Sequence, residues 1–276
     1  MLTIGTLAFD LPAVMGVLNV TPDSFSDGGR FTGRDAALRQ AEAMARDGAA
    51  IIDVGGESTR PGAADVTEQE ELDRVIPVVE ALVSAVDVPV SIDTSKAAVM
   101  RAAARAGAAM INDIRALRGD GALAAAVELQ RPVCLMHMQG QPRTMQQAPG
   151  YGDVVADVGN FLAERLRACV AAGLAENLLI VDPGFGFGKT PGHNVELLAN
   201  LRQLRSLGRP ILVGLSRKST LGALTGRDVD QRMPASIAAA VIAVIQGAHI
   251  VRAHDVGETV DALRVAAAVI DKDRDR

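Results

Sequence analysis

The chain has 276 residues, 49% of them hydrophobic and 22% charged, with a formal net charge of −5, an isoelectric point near 5.4 and a mean hydropathy of +0.20. That length suits one domain of about 250 residues with a large core, there is no basic stripe of the kind a nucleic-acid binder carries, and no apolar stretch nears the roughly 18 residues of a membrane span. The first residues lack the basic and long apolar regions of a secretory signal, which points to a cytoplasmic protein, makes the Asn19-Val20-Thr21 glycosylation pattern accidental, and leaves Cys134 and Cys169 as buried thiols without metal-ligand spacing.

From the N-terminus, residues 2–10 alternate around Gly5-Thr6 and predict a small hairpin, placed to plug one mouth of the domain. Eight apolar runs come next, each ending in a polar or glycine cluster. VMGVLN ends at Asn19, IIDVGGESTR carries Asp53 to Arg60, VSIDTSK carries Asp93, and MINDI carries Asn112 and Asp113. VCLMHMQG carries Met136 to Gln139, LIVDPGFGFGK carries Asp182 to Lys189, ILVGLSRKS carries Ser216 to Lys218, and HIVRAHD carries Arg252 to Asp255. Helical periodicity is expected after each run, over 35–47, 68–86, 96–106, 121–129, 154–172, 195–207, 234–246 and 257–270. Pro234 suits a first helical turn, and Gly48, Gly107, Gly173, Gly208 and Gly247 suit left-handed helix ends. Near-continuous apolar strands separated by helices predict an α/β fold, a (β/α)8 TIM barrel with an N-terminal β-hairpin, in one domain over 1–276. The strand-to-helix segments at 21–33 and 57–67 are long enough to act as mobile lids on the catalytic side.

In such barrels the polar strand ends mark the active site. Asp53, Asp93, Asn112 and Asp182 end four different strands. Any one aspartate could merely cap the next helix, but together they suit the N–H edge of a planar, guanidine-like heterocycle. Arg252 and His254 follow the last strand two residues apart and so share a face, where phosphate sites commonly form. Arg60 and Lys218 add charge, and Asn19 offers an oxygen to a hydrated Mg²⁺. His137 and His193 have no metal-spaced partner, and His249 belongs at the closed side of the barrel. The segment from Gly184 to Thr190 resembles a phosphate loop but fails both signatures: Pro183 stands where a Walker motif needs glycine, and Lys189 where a dinucleotide fingerprint does. Its glycines are expected to let a flat ligand approach backbone, with Phe187 as an apolar wall.

The eight motifs together resemble the dihydropteroate synthase family over essentially the whole chain. They are MGVLNVTPDSFSDGG (15–29), DVGGESTRPG (53–62), SIDTSK (91–96), NDI (112–114), LMHMQG (135–140), DPGFGFGK (182–189), GLSRKS (214–219) and VRAHD (251–255). The resemblance implies a transferase that condenses 6-hydroxymethyl-7,8-dihydropterin diphosphate with p-aminobenzoate. It implies that Asp93, Asn112, Met136, Asp182, Lys218 and Arg252 hold the pterin, and that Asn19, Arg60, Arg252 and His254 hold the pyrophosphate, with Asn19 toward Mg²⁺. Phe25, Thr59, Pro61, Phe187, Ser216 and Lys218 would shape the p-aminobenzoate pocket, and Lys218, Arg252, Asp93 and Asp182 would carry catalysis. A homodimer is also implied. A corrinoid-linked methyltetrahydrofolate methyltransferase would share the pterin-holding pattern without needing STRPG or TPDSFSDGG. A non-catalytic pterin-binding paralogue would be expected to lose Asn19, Phe25, Arg60 or Lys218, and all four are present.

Overall fold

Gly5, at φ +58°, turns the chain between β1 (Leu2–Ile4) and β2 (Leu7–Phe9), the expected antiparallel hairpin. The computed structural model describes residues 1–20, 30–58 and 66–274. Most of the two long segments expected to act as lids lies outside the described residues.

Each apolar run becomes a parallel strand: β3 (Ala13–Asn19), β4 (Ile51–Gly55), β5 (Val90–Asp93), β6 (Met110–Asp113), β7 (Val133–Met136), β8 (Leu179–Asp182), β9 (Leu212–Val213) and β10 (Ile250–Ala253). Their order is β8-β7-β6-β5-β4-β3-β10-β9. A single parallel bridge between Val181 and Ile211 joins the two ends, so the sheet closes as the expected barrel. Register then does the chemical sorting. Asp53 lies beside Ser91, Asp93 beside Asn112 and Asp182 beside Met136, so these side chains gather at one rim.

The opposite end of the barrel is apolar. Ile4, Leu7 and Phe9 of the hairpin pack with Met15, Ile51, Met110, Cys134, Ile180, Leu212 and Ile250, all buried near the strand starts. Burying each such side chain is worth about 1.5–3 kcal/mol, so the hairpin is held by several of them. Outside the barrel, helix and strand faces bury two further clusters, one over β3 to β8 and one over β8 to β10 and β3.

The helices are α1 (Arg30–Arg46), α2 (Glu68–Ala85), α3 (Ala97–Arg105), α4 (Ala122–Leu129), α5 (Val154–Ala171), α6 (Pro191–Ala199), α7 (Ser219–Thr225), α8 (Met233–Ile245) and α9 (Val256–Arg274). Thr67 and Glu70 form a reciprocal cap on α2, and Asp153 accepts two N–H groups at the start of α5. Pro234 does sit in the first turn of α8, and the five helix-closing glycines have φ between +65° and +105°. Two expectations change. The helix expected over 195–207 begins at Pro191, capped by Thr190, and stops at Asn200, whose side chain donates to the Glu196 carbonyl; residues Leu201–Leu207 continue as a 3-10 helix. The helix α7 was not foreseen, because it follows the SRKS motif at once and spans only seven residues.

Candidate active site

Arg252 organises the rim. Its Nε donates to Asp53 Oδ2 at 2.6 Å and its Nη2 to Asp93 Oδ2 at 2.9 Å. Asn112 Nδ2 donates to the same Asp53 oxygen at 2.9 Å. Asp53 is fully buried on the middle of β4, and its Oδ1 has no partner among the described residues. One buried carboxylate thus fixes the orientation of two side chains at the rim. The sequence named Asp53 as a strand-end carboxylate, and the fold makes it the anchor beneath the others.

Burial pushes the Asp93 carboxyl up to about 7; Arg252 pulls it down, while Asp53, Glu71 and Asp113 add to the rise. Burial likewise raises Asp182 to about 6, against the pull of the Gly184 N–H, 2.7 Å from Oδ1, and of Lys218, Lys189 and Arg252. Lys218, at the start of α7, rests its Nζ 4.1 Å from the centre of the Phe187 ring. Burial lowers its ammonium to about 8, with Asp182 opposing and Arg252 reinforcing the fall. The rim therefore holds two carboxyls and one amine that sit nearer neutrality than such groups do in water, as groups awaiting a ligand of complementary hydrogen bonding do.

Phe187 packs with Met136, Met138 and Met145 in a small apolar cluster beside this polar set. Its loop is built around Lys189, a side chain only 2% exposed. Lys189 Nζ contacts His137 Nδ1 at 2.9 Å and donates to the carbonyls of Gly184 at 2.9 Å and Phe187 at 3.2 Å. Burial and the lysine charge push His137 down to about 3, so its Nδ1 accepts. The loop glycines differ from expectation. A Cβ on Gly184 would stand 1.9 Å from the His137 carbonyl oxygen, and one on Gly188 2.4 Å from that of Gln139. They permit loop to lie on loop, not ligand on backbone; Gly186 alone of the three faces Lys218.

Asn19 ends β3 with its Oδ1 close to Gly55. A Cβ on Gly55 would lie 3.9 Å from that oxygen and 3.7 Å from Asp93 Oδ2, so both side chains pass over this glycine. His254 and Ser216 face each other across the last two strand ends, with 2.9 Å between Nδ1 and Oγ. Asp113 turns away from the rim. It accepts from Ser95 and from the N–H groups of Arg115 and Leu117, holding a turn in which Ala116 and Leu117 have φ of +51° and +58°. His193 caps α6, and His249 accepts from Ile211 N–H at the strand starts, on the closed side as expected. Phe25, Thr59, Arg60 and Pro61 lie outside the described residues. The buried Lys189 had no signal as a functional residue beyond its place in the GFGFGK run.

Comparison with known proteins fits this geometry. Residues 15–254 match the family described as pterin binding enzyme. The chain is 55% identical to the dihydropteroate synthase of Escherichia coli strain K12 over 259 residues, covering 94% of this chain and 92% of that protein. It is 56% identical to the Yersinia pestis dihydropteroate synthase solved in complex with a sulfonamide drug, with a TM-score of 0.93 over 98% of this chain and 99% of that one. The Xanthomonas albilineans enzyme solved with 4-aminobenzoic acid is 54% identical, with a TM-score of 0.89 over 94% and 93% of the two chains.

Proposed function

Because the chain belongs to the dihydropteroate synthase family, we propose how its own residues divide the work of joining 6-hydroxymethyl-7,8-dihydropterin diphosphate to p-aminobenzoate. Asp93, Asn112 and Asp182 take the donor and acceptor edge of the pterin, Met136 lies under the ring, and Lys218 and Arg252 cover it. The single observation that carries this reading is the Asp53 clamp, which brings Arg252, Asn112 and, through Arg252, Asp93 to one point.

The diphosphate belongs against Arg252 and His254, joined by Arg60 and Asn19. Two Arg252 nitrogens face carboxylates, and the remaining guanidinium N–H groups are left for an anion. Asn19, at the end of β3, is the protein oxygen that would hold Mg²⁺. No group of three or more His, Cys, Asp or Glu forms a metal cage among the described residues; Mg²⁺ on a phosphate generally takes few protein oxygens and keeps several waters. When bound, Mg²⁺ would neutralise charge on the diphosphate.

Breaking the methylene C–O bond sends its electron pair to the diphosphate, where Arg252 meets the growing charge. The positive charge left on the pterin methylene spreads into the ring, which Asp93 and Asp182 face. The neutral aniline nitrogen then attacks with its own lone pair and afterwards releases its proton to solvent. Its ring is placed against Phe187 and Lys218, with Phe25, Thr59, Pro61 and Ser216 completing the p-aminobenzoate pocket.

Two further assignments belong to this reading. Ile242 and Ile245 of α8 are 45% and 54% exposed, and Val265 and Val269 of the adjoining α9 are 67% and 66% exposed, which supports a homodimer through these helices. No helix among the described residues is long and apolar enough to cross a membrane, and the acidic chain suits the cytoplasm. Incubating the protein with the dihydropterin diphosphate, p-aminobenzoate and Mg²⁺ tests the whole: dihydropteroate should form, and its formation should fail in Asn112→Ala. Full turnover by that variant would overturn the pterin assignment.

A further inference from the structure

The contact between His254 and Ser216 specifies where the imidazole proton sits. Ser216 Oγ lies 3.2 Å from the backbone nitrogen of His254 and 2.9 Å from its Nδ1. The backbone N–H can only donate, so it takes one hydroxyl lone pair. The hydroxyl proton then needs an acceptor, and Ser216 has no other hydrogen-bond partner among the described residues. A bare Nδ1 provides one. A protonated Nδ1 would take the second lone pair and leave the hydroxyl proton without a protein acceptor among the described residues.

We propose that Ser216 holds His254 as the Nε2–H tautomer, so that His254 is a neutral hydrogen-bond donor to the departing diphosphate and Ser216 is the residue that positions its proton. This rests on the reading of His254 as a diphosphate ligand. The charged neighbours of the ring agree with it. Arg252 on β10, with Arg217 and Lys218 between β9 and α7, all disfavour a second proton. Burial acts first in the same direction, Asp255 opposes, and together they hold the imidazolium down to about 4. Asp255 itself accepts from Nε and Nη2 of Arg217. The same neighbour, Arg217, has a left-handed backbone at φ +58° and donates its N–H to Ser236 at 2.9 Å, which fixes the residue next to Ser216. A serine placed this firmly selects one tautomer of a ring whose other nitrogen makes no hydrogen bond among the described residues.

The test is nitrogen NMR on the substrate-free enzyme with ¹⁵N-labelled histidine, the His254→Gln variant identifying the signal among the four histidines. Between pH 6 and 8, Nδ1 should resonate as an unprotonated nitrogen and Nε2 as the one bearing hydrogen. A proton on Nδ1, or an imidazolium in that range, overturns the proposal whatever the turnover variants do. In turnover, Ser216→Ala should raise KM for the dihydropterin diphosphate about tenfold, as the loss of one hydrogen bond to a charged group does. Its affinity for the hydroxymethyl-dihydropterin lacking diphosphate should stay at the wild-type level. Ser216→Thr should restore the diphosphate KM. An alanine effect as large on bare hydroxymethyl-dihydropterin as on the diphosphate would overturn the positioning role. Inorganic pyrophosphate with Mg²⁺ should shift the Nε2–H signal. If the tautomer is as stated and pyrophosphate leaves that signal alone, the diphosphate reading of His254 is wrong and the tautomer stands.

Discussion

Arg252 bridges Asp53 and Asp93 with two different nitrogens of one planar group, a geometry that lysine's single ammonium does not reproduce. Arg252→Lys should therefore lower both turnover and diphosphate-substrate affinity, because the lost fork faces charge that grows toward the transition state. Steady-state kinetics with the diphosphate beside calorimetry with bare pterin separate the two effects, and unchanged turnover would refute the leaving-group role. Asp182 carries a different consequence. Its carboxyl is raised from 3.8 to about 6, mainly by burial, so the folded state keeps that proton to higher pH than the unfolded chain does. The stabilisation is whole below the ordinary carboxylate value and is lost as pH rises through about 6, amounting to about 3 kcal/mol. The unfolding free energy of the wild type relative to Asp182→Asn should thus fall between pH 4 and 7, as read by urea titration. Saturating pterin should flatten that slope, since ring N–H donors favour the anion. A difference that rises with pH would contradict this account of the pocket.

At the scale of elements, β8 and the loop after it would form one wall for both substrates in the proposed arrangement, and Lys189 is the post inside that loop. Removing its ammonium leaves His137 Nδ1 and the carbonyls of Gly184 and Phe187 without their donor. Each buried acceptor so orphaned costs about 1–3 kcal/mol. Lys189→Met should accordingly be less stable in urea and should raise KM for p-aminobenzoate, since Phe187 is no longer held under Lys218. An unchanged denaturation midpoint would show that the loop stands without it. The barrel strands and the rim were legible in the sequence because a strand buried on both faces is mostly apolar until it ends, and in such barrels the polar ends mark the site. Asp93, Asn112, Asp182 and Arg252 could be picked out for that reason. What Lys189 does could not, because a lysine in a glycine-rich loop looks the same whether it reaches solvent or a buried histidine. Likewise nothing local distinguishes a glycine that meets a ligand from Gly184, which meets the backbone of a residue 47 positions earlier in the chain. The short helix α7 was hidden for a related reason: seven residues hold too few turns for periodicity to emerge.

At the scale of the molecule, the exposed isoleucines of α8 and valines of α9 set a prediction about assembly. Ile245→Glu combined with Val269→Glu should sediment at half the wild-type mass while still binding pterin, because neither residue reaches the rim; a wild type that already sediments as a monomer would remove the dimer from the reading. The hairpin at the other end acts on traffic. Ile4, Leu7 and Phe9 stopper the barrel at its strand starts, so the barrel is closed at that end. A pterin seated deep in such a cul-de-sac, with the diphosphate lying outward of it, has its exit barred by its own tail and by whatever binds above. With the substrates in the proposed seats, the order of arrival and departure becomes a matter of queueing: the ring would go in first, and dihydropteroate would leave only after pyrophosphate has cleared the threshold.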